Sequence, residues 1–377
     1  MNNFENKLLV ISTSPSDYGM LETLSKEVSN TNNVELLCLF EPYVKNTLNS
    51  DNLNINIQNL NLTHKPSNDK VLFRDLKKIN QFFKKFLLKT KHDLVLILGD
   101  RYELLTIAQL LYLNKKIIIH LHGGEITEGS WDDSIRHSIS KLSHIHFVAS
   151  NDAVKRLTSM GEQPKNIFNE GSLGAYNVKN LELIDKEELF KNLDLNINKK
   201  VCFLVMQPMT NENFDMTKNL DVIVKFLIMN KFDEVVISDI NSDPGSIDII
   251  KFFENRKYKE ILFKKLGNLG LKKFISLCKH SDLVIGNSSS FIYELPMKNI
   301  KSILVTDRQK GRLLSEHIFP ASIDINSLNE QLLKLNNTNT NASSVYYNED
   351  TPRNMAEKID FFIHNLPEFK KVFGNEK

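Results

Sequence analysis

Apolar runs of strand length alternate with segments of helical period along almost the whole chain, which restricts the fold to α/β with parallel sheets. Lys7–Thr13 reads as the first strand and Tyr18–Val28 as the helix after it; Val34–Phe40 is the next strand and Phe73–Thr90 a long helix. Leu94–Leu98 (LVLIL) and Ile117–Leu121 (IIIHL) are strands on either side of a helical pattern over Glu103–Leu113, which makes a βαβ unit. A helix over Ser134–Ser143 follows, then strands Ile145–Ala149 and Ile167–Glu170 around the helix Ala153–Met160. Tyr176–Asp194 is mostly polar without a strong apolar period, and the domain boundary is placed within it. From Lys200 the alternation resumes with strands Val201–Met206, Glu234–Ser238, Ile261–Lys264, Leu283–Gly286 and Ser302–Val305. Its helices are Lys218–Met229, Asp248–Asn255, Leu271–His280 and one opening at Phe291. Met355–Leu366 is an amphipathic terminal helix. The chain has 377 residues. At roughly 150 residues per domain this gives two similar-sized doubly wound domains, 1–178 and 179–352, followed by the terminal helix in 353–377.

Composition narrows the partners. Apolar residues make up 41% of the chain, enough for two cores that need no covalent staples. The net charge of +2 implies no polyanion, so no nucleic acid is expected. Cys38, Cys202 and Cys278 are far apart and flanked by apolar residues, which predicts buried thiols, no disulfide framework and no metal spacing. Met1–Lys7 leads into a strand rather than a longer apolar segment, so no signal peptide is expected, and no run approaches membrane-spanning length. The expected compartment is the cytoplasm. The Asn-rich runs Asn49–Asn61 and Asn336–Asn341 read as composition bias in solvated loops.

Chemistry concentrates between Leu98 and Ser150. Asp100, Arg101, Glu103, His120, His122, Glu125, Glu128, Asp132, Asp133, Arg136 and His137 all fall in or beside the turns that follow two strands. Ligands of an open parallel sheet bind at the carboxyl ends of its strands. Gly123 and Gly124 allow the main chain to turn sharply there. Asp132 and Asp133 precede a helix and read as its N-cap and first-turn acids, yet one cap suffices, which leaves a carboxylate for other work. In the second half, Gly286-Asn287-Ser288-Ser289-Ser290 closes a strand and opens a helix, so its N–H groups and hydroxyls form a candidate anion site.

These motifs resemble those of the hydrolysing UDP-N-acetylglucosamine 2-epimerases of sialic and legionaminic acid synthesis. The resemblance rests on GDRYE at 99–103, HGGE at 122–125 and EGxxDDSIRHxIxKLSHxHFVA from Glu128. It continues through Gly171-Ser172-x-Gly174 with Asn177, through Gly286–Ser290 with Glu294 and Pro296, and through Asp307-Arg308-Gln309-Lys310-Gly311-Arg312. It implies a GT-B-like fold of two Rossmann-like domains facing across a cleft, with 353–377 as a terminal helix returning to the first domain, a nucleotide-sugar substrate, no cofactor or metal, and a homodimer. It also implies the reaction: the proton on C2 is lost and the nucleoside diphosphate leaves C1, giving a 2-acetamidoglucal. Water then adds, and a proton reaches the opposite face of C2 to release the manno-configured sugar. Such transfers suit carboxylates or histidines that titrate near neutrality.

Carried onto this sequence, the resemblance makes Asp100 the first catalytic candidate, followed by His122, Glu125 and Asp132. Where sialic-acid-type relatives have HIEGGE, this chain has HLHGGE, so His122 stands in place of a glutamate and resembles the legionaminic branch. Ser288, Ser289 and Ser290 are expected on the diphosphate, Glu294 on the ribose hydroxyls and Arg312 on a phosphate. Gln207, Asn241, Asp243 and Arg136 complete the substrate-binding candidates, with Arg136 as orienter or charge partner; for Asn241 and Asp243 an Asx turn before Pro244-Gly245 is the alternative. His137 reads as structural.

The chain also departs from the family pattern. Pro15 stands where relatives have an arginine, Gln207 where they have a histidine, Phe291 where they have glycine, and Leu173 replaces the proline of GSPG. Three of the four fall on the nucleotide side, and the bulk of Phe291 is expected beside the phosphate site. The departures leave a second reading open: a diverged paralogue acting as a GT-B glycosyltransferase or as a non-catalytic nucleotide-sugar-binding protein.

Overall fold

A computed structural model describes residues 7–41, 52–63, 69–127, 132–209, 215–240, 245–255, 258–340 and 344–374. Two compact units emerge. The first falls within Met1–Glu125, Trp131–Asn177 and Tyr346–Lys377, the second within Ile126–Ser130 and Val178–Val345.

The first unit holds β1 (Lys7–Ser12), α1 (Pro15–Ser29), β2 (Asn33–Cys38), β3 (Leu53–Ile57), α2 (Asp69–Leu87), β4 (Leu94–Leu98) and α3 (Tyr102–Leu113). After these come β5 (Ile117–Leu121), α4 (Asp132–Leu142), β6 (Ile145–Val148), α5 (Asn151–Ser159), β7 (Ile167–Asn169) and α6 (Leu173–Lys179), whose end passes into the second unit. The strands form one sheet in the order β3-β2-β1-β4-β5-β6-β7, with all six neighbouring pairs parallel. A parallel sheet is covered on both faces, which is why β4 and β5 read as unbroken apolar runs and are buried throughout. Leu8, Val10, Leu94, Leu96 and Ile119 face one side with Leu21 and Leu24 of α1. Leu9, Ile11, Val95, Ile97 and Ile118 face the other with Ile79 and Phe83 of α2, Leu104 and Ile107 of α3 and Ile139 of α4. The terminal helix α13 (Thr351–His364) joins the first face through Met355, Ile359, Phe362 and Ile363.

The second unit contains α7 (Lys186–Asn192), β8 (Val201–Val205), α8 (Met216–Met229), β9 (Glu234–Ile237), α9 (Ser246–Asn255), β10 (Leu262–Lys265) and α10 (Gly270–His280). It ends with β11 (Leu283–Gly286), α11 (Ser290–Tyr293), β12 (Ser302–Val305), β13 (Ile318–Ala321) and α12 (Ile325–Asn337). Its parallel sheet runs β10-β9-β8-β11-β12-β13. Two strands go beyond the sequence reading: β3, inside the Asn-rich run taken for a loop, and β13. Both are edge strands. The three cysteines are buried free thiols, and burial pushes Cys38 up to about 12. Among the described residues no helix is long and apolar enough to cross a membrane.

Candidate active site

In the first sheet the strand order reverses between β1 and β4, so the crevice outside their carboxyl ends is the expected ligand position. Two turns supply it. After β1, Ser14 caps α1 in an extended conformation and its hydroxyl lies 2.7 Å from Oδ2 of Asp17. Burial, outweighing the opposing Arg101 and Ser14, pushes the Asp17 carboxyl up to about 6; Glu103 and Asp100 add to the rise. After β4, Gly99 turns with φ +92° and leads to Asp100 and Arg101. Arg101 donates from Nε to the fully buried Glu103 carboxylate at 2.6 Å. Burial opposes its charge, but Glu103, Asp17 and Asp100 together hold the guanidinium above its ordinary range.

Asp100 is paired with Arg136, whose side chain is 2% exposed. The same guanidinium donates to Oδ1 of Asp133 at 3.2 Å and to the carbonyl of Glu125 at 2.9 Å. Arg136 is thus the charge partner of Asp100 and Asp133. Asp132 and Asp133 do not precede α4 as cap and first-turn acid: the helix opens at Asp132, both lie in its first turn, and the ion pairs of Asp133 reach Arg136 and His137. Asp132 sits beside it, half-buried.

At the end of β5 the structure separates two histidines. His120 is fully buried, and burial lowers it to about 3. Its Nε2 faces the Gly99 carbonyl at 2.8 Å, which fixes the proton there, and Nδ1 meets the Ser140 hydroxyl of α4 at 3.1 Å. It is a neutral tie between the Asp100 turn and α4. Gly123 passes directly over this tie: a Cβ there would lie 2.8 Å from Ser140 Oγ and 2.9 Å from His120 Nδ1. His122 takes a left-handed conformation, φ +62°, which is uncommon outside glycine and marks a position fixed by its surroundings. Its N–H donates to the Phe147 carbonyl at 2.9 Å. Glu125 is buried and accepts the Ser150 hydroxyl at 2.9 Å. Asp100, Arg136, Asp133 and Glu125 are therefore joined through one guanidinium, with His122 on the adjoining turn.

In the second unit the order reverses between β8 and β11. Gly286 is required at this point, because a Cβ would fall 2.0 Å from the Val205 carbonyl oxygen. Buried Asn287 pins the two strand ends together: its Oδ1 accepts the Gln207 N–H at 2.7 Å and its amide donates to the Gln207 carbonyl at 2.9 Å. The Gln207 side chain donates to the Asp239 carbonyl at 3.1 Å. Ser288, Ser289 and Ser290 are half-buried around the opening of α11, which is only four residues long, so the helix dipole inferred from sequence reduces to one turn. Burial raises the Glu294 carboxyl, opposed by the Ser290 hydroxyl and Arg312. Arg312 lies over the Tyr293 ring and donates to Gln309 Oε1 at 2.7 Å, to the Ile126 carbonyl at 3.0 Å and to the Thr127 hydroxyl at 3.0 Å. Three of its five N–H donors thus serve the protein.

One expectation is overturned. The Phe291 ring, expected to stand in the phosphate site beside the serines, is instead fully buried among the largest core side chains. Asn241, Asp243 and Glu128 lie outside the described residues. Asp17 and Asn287 carry more of the geometry than their sequence signals suggested, although the Ser-Pro-x-Asp pattern at 14–17 is a legible helix start. Among the described residues no three His, Cys, Asp or Glu side chains group so as to hold a metal ion.

The family model described as UDP-N-acetylglucosamine 2-epimerase matches residues 40–360. The chain belongs to the UDP-N-acetylglucosamine 2-epimerase family. A GDP/UDP-N,N'-diacetylbacillosamine 2-epimerase (hydrolyzing) from Campylobacter jejuni is 39% identical over 246 residues, which cover 65% of this chain and 64% of that protein, just under two thirds. The polysialic acid biosynthesis protein P7 of Escherichia coli is 29% identical over 97% of both chains. In fold, this epimerase-family chain is similar to the solved UDP-GlcNAc 2-epimerase of Methanocaldococcus jannaschii in complex with UDP-GlcNAc and UDP, with a TM-score of 0.73 at 17% identity, over 94% of this chain and 99% of that one. Two Rossmann-like domains of the GT-B-like class are therefore common to this epimerase-family chain and its structural neighbour.

Proposed function

We propose that the protein is a hydrolysing 2-epimerase acting on a nucleotide-linked 2-acetamido sugar, UDP-N-acetylglucosamine or a 2,4-diacetamido-trideoxy analogue. The observation that carries this reading is the group of acids in the turns after β1, β4 and β5: Asp100 on the buried Arg136, Glu125 on Ser150, and Asp17 raised toward neutrality by burial. Elimination across C1–C2 and rehydration each need a proton moved, and groups that titrate near the working pH do this best. Asp100 is assigned as the base that takes the C2 proton. His122, Glu125 and Asp132 form the group from which the returning proton is drawn. Ser288, Ser289, Ser290 and Arg312 are assigned to the leaving diphosphate, Glu294 to the ribose, and Gln207 and Asn241 to the substrate more generally. The relatives named for diacetylbacillosamine and polysialic acid favour a product that feeds nonulosonic acid synthesis.

The test is product analysis without an acceptor. Purified protein is incubated with UDP-N-acetylglucosamine and, separately, with UDP- and GDP-linked 2,4-diacetamido sugars. Nucleoside diphosphate and free 2-epimerised sugar should appear in equal amounts from at least one. Release that occurs only when an acceptor alcohol is added would make the chain a glycosyltransferase, and no release from any of the three would favour the non-catalytic paralogue.

A further inference from the structure

The carboxyl end of α4 is closed by a lysine 230 residues further along the chain. Lys371 donates from Nζ to the carbonyls of Lys141 at 2.8 Å, Ser143, and Ser140 at 3.5 Å. The last carbonyls of a helix have no partner within it and carry its negative partial charge, so an ammonium group there meets both needs. Lys371 also lies 2.7 Å from the buried Glu162 carboxylate, which takes Lys141 at 2.6 Å and His146 at 3.1 Å. These bonds hold Glu162 down at about 2 despite its burial.

The segment around Lys371 is seated on both sides. Phe369 packs against Tyr112 at 4.9 Å and His144 at 5.4 Å, and its carbonyl accepts from His144 Nε2 at 3.1 Å. Phe373 covers Gly161 so closely that a Cβ there would lie 2.2 Å from the ring, and the Gly374 N–H donates to the Gly161 carbonyl at 2.9 Å. Lys371 is the point at which this seated segment grips α4. The other end of α4 carries Asp133 and Arg136, the partner of Asp100. Its middle carries Ser140, which meets His120 and through it the Gly99 carbonyl beside Asp100. A helix of eleven residues is a rod about 16 Å long. Fixing its far end fixes the approach of Arg136 to Asp100.

We propose that Lys371 is a positioning residue for the reaction: by closing the carboxyl end of α4 it sets the register in which Arg136 meets Asp100. The proposal rests on the epimerase reading above for its kinetic consequence, but not for its structural one.

The experiment is Lys371→Met, which keeps the aliphatic stem and removes the charge, read by steady-state kinetics and by amide hydrogen exchange of α4. We expect kcat to fall about tenfold, since a small misplacement far from the chemistry is costly. KM should stay within about twofold, because uniform substrate binding is untouched. The amides of Arg136–Ser140 should exchange faster, and Lys371→Arg should restore both readouts. Should Lys371→Met not fold, Glu162→Gln withdraws only the carboxylate beside the lysine and should give the same pattern in weaker form. Parent-like kcat together with parent-like exchange in α4 would overturn the proposal. A change in melting temperature with kcat unchanged would overturn it equally, by making Lys371 a structural anchor. If the parent turns over no substrate, the functional reading fails by itself, while the exchange measurement still decides whether Lys371 governs α4.

Discussion

Asp17→Asn should make the protein more stable above pH 6. Burial raises the Asp17 carboxyl from its ordinary 3.8 to about 6, so the native state holds this proton more tightly than the unfolded chain does. The sign follows directly. Below pH 3.8 both states are protonated and the contribution is complete; between 3.8 and about 6 the native state binds more protons, so stability falls as pH rises; above 6 the loss is complete. At about 1.36 kcal/mol per pH unit the difference amounts to about 3 kcal/mol. Asp17 is half-buried in the native fold, and solvent screening reduces this to about 1–2 kcal/mol. Asparagine copies the neutral form and escapes the loss. Urea unfolding of parent and variant at pH 4 and pH 7.5 should show near-equal stability at the lower pH and a variant about 1–2 kcal/mol more stable at the higher, since the loss is confined to the ionised form. Parallel pH dependences, or a variant less stable at pH 7.5, would refute the argument.

Three further changes probe the site. Asp100→Asn keeps shape and removes proton transfer, and should lower kcat about 100-fold or more with little change in melting temperature; activity within a few-fold of the parent would reduce Asp100 to a turn residue. Phe291→Gly should destabilise the second unit by about 4 kcal/mol through the cavity left in its core, with no gain in UDP affinity; a stable variant that binds UDP more tightly would restore the crowding idea. Arg312→Ala should weaken UDP or GDP binding by about one to two decades, the cost of a charge-assisted contact of about 1.5–3 kcal/mol; unchanged calorimetry would confine Arg312 to its contacts with Gln309, Ile126 and Thr127.

The strands that were legible are the ones buried on both faces. Val201–Val205 and Leu94–Leu98 need unbroken apolar runs because helices cover both sides of the sheet. At the edges that requirement lapses. Leu53–Ile57 alternates apolar residues with asparagine, a poor strand former, and reads as a polar loop. Ile318–Ala321 contains Pro320, tolerated only where a ladder bond is dispensable. The short helix Lys186–Asn192 hides in a polar stretch because only Leu189 and Phe190 are buried.

The candidate site was legible as a set of residue types at strand ends, and much less so as a set of partners. Nothing in the order of Asp132 and Asp133 tells which one faces Arg136; the answer comes from the rotation of α4. Position 291 sits one residue into a short helix, where a small rotation decides between a phosphate site and the core, and the core takes the ring. His120 lies inside β5 and His122 just after it, yet one is sealed between Gly99 and Ser140 while the other opens the following turn with a left-handed backbone.

The central claim is that Asp100 and its neighbours break and remake the bond between C2 and its hydrogen. Proton NMR in D2O during turnover of the accepted nucleotide sugar tests this most directly. The account predicts that the released 2-epimerised sugar carries deuterium at C2, and that Asp100→Asn suppresses its appearance. A released sugar that retains protium at C2 would contradict it.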